Sequence, residues 1–229
     1  YSTFLQRAYD QMLHDVCLQE LPVVFAIDRA GLVGSDGETH HGIFDLSYLR
    51  SIPGMTVFAP KNKYELRSAL EFAVQSGVPF AVRYPRGTAY SGLKDCQAPI
   101  EMGKSEVISE GTDVALLAVG SMVETAVQVR EGLEACGISA ALVNVRFVKP
   151  MDEELLGRLA GQCRLLVPME ENVKSGGFGE AVAGFAAEHG YTAQVLPVCV
   201  PDMFVEQGSV DTLKKALKLD ADSVCQRIK

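Results

Sequence analysis

The chain has 229 residues, 48% of them hydrophobic, and a formal net charge of -8, which is enough for one large or two ordinary α/β domains with hydrophobic cores. The acidic balance and the lack of a Lys/Arg cluster argue against a nucleic-acid partner. No apolar stretch approaches the roughly 18 to 20 residues that span a bilayer, and no Cys-x-x-Cys pair indicates a metal or redox site, so we expect a cytoplasmic protein without a membrane partner.

The first predicted element is an amphipathic helix from Thr3 to Leu18, where apolar residues recur at helical spacing. The apolar run Val23 to Ile27 follows and is typical of a buried strand. After this strand comes a segment with four glycines in fifteen residues, Asp28 to Gly42, which is called the glycine loop below. So many glycines disfavour a helix, and we predict a loop at the carboxyl end of the strand.

The glycine loop carries an unusual set of reactive side chains: Asp28, Arg29, Asp36, His40 and His41. In open α/β sheets, ligands bind at the carboxyl ends of the strands. Two of the four histidines of the chain occur together here, although folding of a loop does not require them. We therefore predict a ligand site, with a glycine-rich surface turn and solvated charges as the less favoured alternative.

Helices and apolar runs then alternate, as expected for a mostly parallel sheet. The predicted elements are a helical patch at Asp45 to Leu49, a strand at Thr56 to Ala59, a helix at Lys61 to Gln75 and a strand at Pro79 to Tyr84. The last strand ends in two arginines, Arg83 and Arg86, at the same sheet edge as the glycine loop. Arg29 with Arg83 or Arg86 could clamp an anionic substrate, while structural salt bridges explain these arginines equally well.

A second alternating series follows a predicted linker over residues 91–103 that lacks apolar periodicity. Its predicted strands are Lys104 to Ser109, Val114 to Val119, Ala140 to Asn144, Leu165 to Pro168 and Gln194 to Val200. Its predicted helices are Ser121 to Ala135, Asp152 to Leu159, Phe178 to Glu188, Val210 to Leu217 and one from about Asp222. The fold class is thus α/β with two doubly wound, mostly parallel sheets, in residues 1–90 and 104–229.

The second series of elements also contains two polar stretches. The turn Gly176 to Gly179 matches no phosphate-binding fingerprint, and we expect it to serve helix packing. Glu170, Glu171 and Asn172 follow an apolar run, and we expect them to be exposed at the end of that strand, where they could cap the following helix or contact a partner chain.

Five segments, in order, resemble the 1-deoxy-D-xylulose-5-phosphate synthases, a family of transketolase-like enzymes. They are Tyr1 to Gln11, the glycine loop, Arg83 to Gly87, Arg146 to Pro150 and Pro201 to Phe204. The resemblance covers essentially the whole chain. It implies the later part of a pyrimidine-binding domain over residues 1–90 and a transketolase carboxyl-terminal domain over residues 104–229.

The resemblance implies a thiamine-diphosphate-dependent condensation of pyruvate with glyceraldehyde 3-phosphate, with loss of CO2. The product serves isoprenoid, thiamine and pyridoxal biosynthesis, and the enzyme is expected to be a homodimer. Phe4 would stack on the cofactor pyrimidine, and Tyr1 would lie near cofactor and substrate. Arg29 and Arg83 would hold the acceptor phosphate, and Asp36 and His40 would bind substrate and act in catalysis. His41 and Arg86 are second choices.

The segment that holds Mg²⁺ and diphosphate in this family, and the glutamate that activates the pyrimidine, have no match in the chain. We expect both to precede Tyr1, and we expect the chain alone to be inactive, with no metal ligands of its own. Two alternatives remain. One is the β chain of a 2-oxoacid dehydrogenase, which needs no phosphate clamp. The other is a non-catalytic dimerisation or binding module.

Overall fold

A computed structural model describes all residues from Tyr1 to Lys229 and has an α/β architecture with two sheets. The strands are β1 (Val24–Ile27), β2 (Thr56–Phe58), β3 (Phe80–Arg83), β4 (Glu106–Ser109), β5 (Val114–Val119), β6 (Ala140–Val145), β7 (Phe147–Lys149), β8 (Leu165–Val173), β9 (Gln194–Val195) and β10 (Val198–Val200). The first sheet has the order β1-β3-β2-β7, and the second has the order β10-β8-β5-β6-β4 with β9 beside β8.

Most strand pairs in both sheets are parallel, which confirms the predicted fold class. The exceptions lie at sheet edges, where β7 runs antiparallel to β2 and β4 runs antiparallel to β6. All residues of β5 and β6 are buried, as expected for central strands covered on both faces.

Nine α-helices connect the strands: α1 (Ser2–Leu5), α2 (Tyr9–Gln11), α3 (Asp45–Ser51), α4 (Lys63–Gln75), α5 (Met122–Glu134), α6 (Glu153–Gln162), α7 (Phe178–Glu188), α8 (Val210–Ala216) and α9 (Ala221–Ile228). Side chains of Asn62, Asp152, Ser209 and Asp220 accept hydrogen bonds from the first turns of α4, α6, α8 and α9, which satisfies amide groups that have no partner within the helix. None of the helices has the combination of length and hydropathy that crossing a membrane requires.

The predicted first helix is present but is not one regular helix. A 3-10 turn (Gln6–Ala8) separates α1 from α2, and a π-helical turn (Met12–Cys17) follows α2. Met12 and Cys17, five residues apart, are both buried. In a π turn each amide bonds to the carbonyl oxygen five residues earlier, so residues five apart lie on nearly the same side and both side chains reach the core face.

Three strand predictions need correction. The motif from Arg146 to Pro150 contains β7, a strand that the sequence analysis missed. β8 continues to Val173 instead of ending at Pro168, and the predicted strand Gln194 to Val200 is divided into β9 and β10. β7 is only three residues long, too short for a hydrophobic period to identify it.

β7 joins the C-terminal segment (residues 104–229) to the N-terminal segment (residues 1–90). Phe147 of β7 is fully buried and makes an edge-to-face contact with Phe58 at a centroid distance of 4.9 Å. Burial of one such ring contributes about 1.5 to 3 kcal/mol. The two segments therefore share hydrophobic core.

A buried ionic cluster also joins the segments. Arg146 Nε lies 2.6 Å from Glu65 Oε1, and Lys61 Nζ lies 2.7 Å from Glu106 Oε2. The side chains of all four residues are at most 5% exposed. Burial alone would raise the pKa of Glu106, but hydrogen bonds from Lys61 and Asn144 outweigh it and lower that pKa.

Candidate functional site

The candidate site lies where two adjacent parallel strands of the first sheet end. β1 and β3 are paired with Ile27 opposite Arg83, so the glycine loop and the segment from Tyr84 to Gly87 leave the same sheet edge. The amide of Ala30 donates to the carbonyl oxygen of Tyr84 at 3.0 Å. This hydrogen bond holds the two loops side by side.

The glycine loop is closed at its base by Gly31 and Gly42, whose amides and carbonyls exchange two hydrogen bonds of 2.8 Å each. A Cβ atom on Gly42 would collide with the carbonyl oxygen of Arg29, and a Cβ atom on Gly31 would collide with the Glu171 carboxylate. Gly31 also has a φ of +72°, which disfavours other residues. The glycines thus permit a close approach of backbone to the C-terminal segment.

An aromatic cluster lies beside the loop. The ring centroid of Tyr1 lies 4.4 Å from that of Phe4, and His40 contacts both rings edge-on at 5.9 and 5.5 Å. The Arg29 guanidinium lies 4.5 Å from the Tyr1 ring centroid. Phe4 is 49% exposed, so an apolar ring faces solvent in the middle of charged groups. Such a ring can stack on a planar ligand.

Arg29 itself is strained and incompletely bonded. Its φ is +55°, a conformation that costs a non-glycine residue about 1 to 3 kcal/mol. Nη1 donates to Asp28 Oδ2 at 2.8 Å, whereas Nε is buried without a hydrogen-bond partner. Strain and an unpaired donor are typical of a site that binds a ligand.

Arg86 and Asp36 form the second charged pair of the site. Arg86 Nη1 donates to Asp36 Oδ2 at 2.6 Å, and both side chains are partly exposed. Asp36 lies in the glycine loop, and Arg86 lies three residues after β3. A substrate anion can reach this guanidinium from solvent.

The structure places Arg83, the expected ligand of the acceptor phosphate, in a buried ion pair. Arg83 is only 3% exposed, and its Nε donates to the buried carboxylate of Asp45 at 3.1 Å. Its Nη2 lies 3.0 Å from Oδ1 of the same carboxylate but makes no hydrogen bond. Asp45 is the first residue of α3. Releasing Arg83 would leave a buried charge without a partner, which is costly. Of the two arginines, Arg86 is therefore the one available to an anion.

The two adjacent histidines have different environments. His40 is partly exposed within the aromatic cluster, and its Nδ1 lies 2.8 Å from the hydroxyl of Thr39. His41 is 1% exposed, and its ring bonds to the amide of Val33 and to the carbonyl oxygen of Glu206. Of the two rings, His40 is the one accessible from solvent.

Glu170, Glu171 and Asn172 are buried within β8, so the expectation that they are exposed is wrong. The alternative that this stretch caps the following helix is confirmed for Glu170, whereas Glu171 and Asn172 have partners distant in the chain. Glu170 accepts hydrogen bonds from the amides of Phe178 and Gly179 at 2.8 Å each. This carboxylate fills the amino end of α7, and the expectation that the turn Gly176 to Gly179 is structural is confirmed.

Glu171 and Asn172 support the candidate site from the C-terminal segment. Glu171 forms an ion pair of 2.9 Å with Lys214 and packs against Gly31. Asn172 accepts a hydrogen bond from the amide of Leu46 at 3.2 Å, next to Asp45. The C-terminal segment therefore contacts both the base of the glycine loop and the helix that binds Arg83.

No group of three or more His, Cys, Asp or Glu side chains is arranged to hold a metal ion. The charged groups of the site are instead two partly exposed arginines with carboxylate partners beside an open aromatic ring. This set suits an anionic substrate and a planar heterocycle.

Comparison with known proteins identifies both segments. The family model described as "Transketolase, pyrimidine binding domain" matches residues 1–90, and the model described as "Transketolase, C-terminal domain" matches residues 103–224.

The similarity to known proteins extends over the whole chain. The chain is 56% identical, over 229 residues, to the 1-deoxy-D-xylulose-5-phosphate synthase of Lachnoclostridium phytofermentans, and 51% identical, over 224 residues, to that of Aquifex aeolicus. It covers 37% and 36% of these relatives, a little more than a third of their length. A solved structure, "Split gene transketolase, inactive beta4 tetramer", matches all of this chain and 73% of its own, with a TM-score of 0.88 and 31% identity.

Proposed function

The chain belongs to the transketolase family, and from this premise we propose that it forms part of a 1-deoxy-D-xylulose-5-phosphate synthase. The complete enzyme would be a transferase that condenses pyruvate with glyceraldehyde 3-phosphate, with loss of CO2. The product would enter isoprenoid, thiamine and pyridoxal biosynthesis. The resemblance in five sequence segments and the identity of up to 56% to synthases support this proposal. The geometry of the anion site supports it independently.

Thiamine diphosphate fits the aromatic part of the site. Phe4 would stack on the pyrimidine, since half of its surface is exposed although it is a large apolar side chain. The rings of Tyr1 and His40 contact the ring of Phe4. The bound cofactor would supply the chemistry that decarboxylates a 2-oxo acid and transfers its two-carbon unit. Mg²⁺ and the diphosphate would be held by residues outside this chain.

The acceptor phosphate would bind between Arg29 and Arg86. Each guanidinium is partly exposed and already pairs with a carboxylate. A phosphate offers charge-assisted hydrogen bonds that match the planar fork of arginine. Asp36, freed from Arg86, would accept a hydrogen bond from an acceptor hydroxyl, and His40 would move a proton at the substrate oxygens.

One observation carries the proposal: loops from a single sheet edge carry two partly exposed arginines, Arg29 and Arg86, and a partly exposed histidine, His40, that contacts the open ring of Phe4. A 2-oxoacid dehydrogenase β chain would have no use for two arginines that can hold a phosphate. The relatives described above are synthases, so we favour the phosphosugar synthase. We further propose a homodimer in the cytoplasm.

The test is a coupled assay of the complete enzyme with pyruvate, glyceraldehyde 3-phosphate, thiamine diphosphate and Mg²⁺. Formation of 1-deoxy-D-xylulose 5-phosphate and CO2 in equal amounts is expected. Unphosphorylated glyceraldehyde serves as the control and should react with a much higher KM. Turnover of pyruvate without any preference for the phosphorylated acceptor would contradict the proposal. Sedimentation of the same sample measures whether a dimer forms, and a protein that assembles but never turns over would be the non-catalytic module.

A further inference from the structure

His41 makes a contact that the proposed reaction does not use. Nδ1 accepts a hydrogen bond from the amide of Val33 at 3.1 Å, and Nε2 lies 3.2 Å from the carbonyl oxygen of Glu206. An amide only donates and a carbonyl oxygen only accepts, so both bonds require the neutral ring with its proton on Nε2. One buried imidazole thus connects the glycine loop to a residue 165 positions later in the chain.

Residues 206–208 contact the glycine loop. The amide of Gly208 donates to the carbonyl oxygen of Gly34 at 3.3 Å. A Cβ atom on Gly37 would be in van der Waals contact with Gln207 at 3.6 Å. Three successive residues, 206–208, therefore touch the loop at three places.

The hydrogen bonds to Gly34 and His41 lie on both sides of the exposed part of the loop. Gly34 and His41 flank the stretch 35–40, and that stretch carries Asp36 and His40. Gly34 and His41 are buried, whereas Asp36 is exposed and His40 is half-buried. Within the stretch, the Thr3 hydroxyl donates to the carbonyl oxygen of Thr39 at 3.1 Å and Arg86 pairs with Asp36. The middle of the stretch is therefore held by the N-terminal segment, whereas its two ends are held by residues 206–208.

We propose that His41 is a positioning residue that fixes the glycine loop on residues 206–208 and thereby sets the acceptor site. This inference rests on the proposed function, since it assigns Asp36 and Arg86 to the acceptor. His41 itself touches no substrate. Through the hydrogen bond between His41 and Glu206, the C-terminal segment positions the loop that binds the acceptor. That segment supplies no ligand of the phosphate itself.

Three substitutions of His41 in the complete, cofactor-loaded enzyme separate the two hydrogen bonds. His41→Leu removes both. In His41→Gln the terminal amide can still donate to Glu206, whereas in His41→Asn the shorter amide reaches only Val33. The KM of each substrate and the hydrogen exchange of the peptide spanning residues 31–42 are measured for each variant. His189→Leu, a histidine of the C-terminal segment that stacks on Phe185, is the matched control.

We expect His41→Leu and His41→Asn to raise the KM for glyceraldehyde 3-phosphate at least tenfold, with the KM for pyruvate within twofold of wild type. Exchange over residues 31–42 should become at least tenfold faster. His41→Gln should lie within threefold of wild type in both readouts, and His189→Leu should change neither.

Equal losses with both substrates, unchanged exchange, or a His41→Gln variant as impaired as His41→Leu would each overturn the proposal. A wild-type enzyme without synthase activity would refute the proposed function instead. In that case the exchange data alone decide whether His41 holds the loop, because they need no turnover.

Discussion

Arg86 and Arg83 lie three residues apart but bind carboxylates in opposite environments. The Arg86 guanidinium pairs with Asp36 at 2.6 Å, and both side chains are partly exposed to solvent. The Arg83 guanidinium pairs with Asp45 at 3.0 Å, where neither side chain is more than 3% exposed. The first pair can open to admit an anion, whereas the second is part of the folded core.

This contrast predicts different effects of the two alanine substitutions. In the complete enzyme, Arg86→Ala should raise the KM for glyceraldehyde 3-phosphate about ten- to a hundredfold, since a charged hydrogen bond contributes about 1.5 to 3 kcal/mol. The KM for pyruvate should stay the same. Steady-state kinetics with each substrate varied in turn provides the measurement.

Arg83→Ala should instead lower the free energy of unfolding by about 3 to 5 kcal/mol, because it leaves the buried Asp45 charge unpaired. Denaturant unfolding of both variants measures this difference. A stable Arg83→Ala protein with a selectively raised KM for the phosphorylated acceptor would restore Arg83 as the phosphate ligand.

The sequence predicts which sheet edge carries the candidate site. It does not predict which of the two arginines, Arg83 or Arg86, is accessible there. The strand before the glycine loop is recognisable from its apolar run, and the carboxyl-end rule gives the position of the loop. The partner of Arg83 is 38 residues away, and no local pattern predicts such a pair. Glu170 differs, because its donors lie only eight and nine residues further along the chain, and the sequence suggested the helix cap but not the burial of the carboxylate.

Phe4→Ala should weaken binding of thiamine diphosphate in the complete enzyme by up to about tenfold. A stacked aromatic pair contributes about 0.5 to 1.5 kcal/mol beyond its burial, and Phe4 is open to a ligand. Calorimetric titration with Mg²⁺ present measures the affinity. Phe204→Ala, which removes another exposed ring, is the control and should bind normally. Equal affinity of the two variants for thiamine diphosphate would mean that Phe4 does not contact the cofactor.

His40→Ala should lower kcat more than it changes either KM, because we assign His40 to proton movement and not to phosphate binding. Loss of general acid or base catalysis typically costs a factor of about 100 or more. Rapid-quench measurement of a single turnover separates the chemical step from product release. A kcat within twofold of wild type would leave His40 only its aromatic contacts with Tyr1 and Phe4.

Arg146→Ala should destabilise the protein by about 3 to 5 kcal/mol, because it leaves the two buried carboxylates of Glu65 and Glu106 with one cation, Lys61, between them. Arg146 also donates to the carbonyl oxygens of Ala98 and Pro99, so the connecting segment should become accessible to protease. The matched control is Arg67→Ala, which breaks an exposed pair with Glu71 and should cost at most about 0.5 kcal/mol. Similar losses in the two variants would mean that the buried cluster contributes no more than a surface pair.

The buried carboxyl group of Glu170 should make the free energy of unfolding depend on pH. Burial raises the pKa of this carboxyl from 4.5 to about 7, although hydrogen bonds from the amides of Gly179 and Phe178 oppose the rise. Between these two values the folded protein binds one proton more than the unfolded chain. The contribution of Glu170 is therefore fully present below about pH 4.5 and is lost as the pH rises through about 7. At most about 3.5 kcal/mol is involved, since the two pKa values differ by about 2.5 and each pKa unit corresponds to about 1.4 kcal/mol.

Glu170→Gln should accordingly flatten the dependence of unfolding free energy on pH between about 5 and 8. Denaturant titrations at several pH values in this range measure the slope for each protein. The control is Glu180→Gln, whose carboxylate bonds to the amide of Gly176 in the same turn but is exposed. That variant should keep the wild-type slope, because its carboxyl is not buried. If Glu170→Gln keeps the wild-type slope as well, the proton is not taken up at Glu170, and its carboxylate stays charged at the amino end of α7.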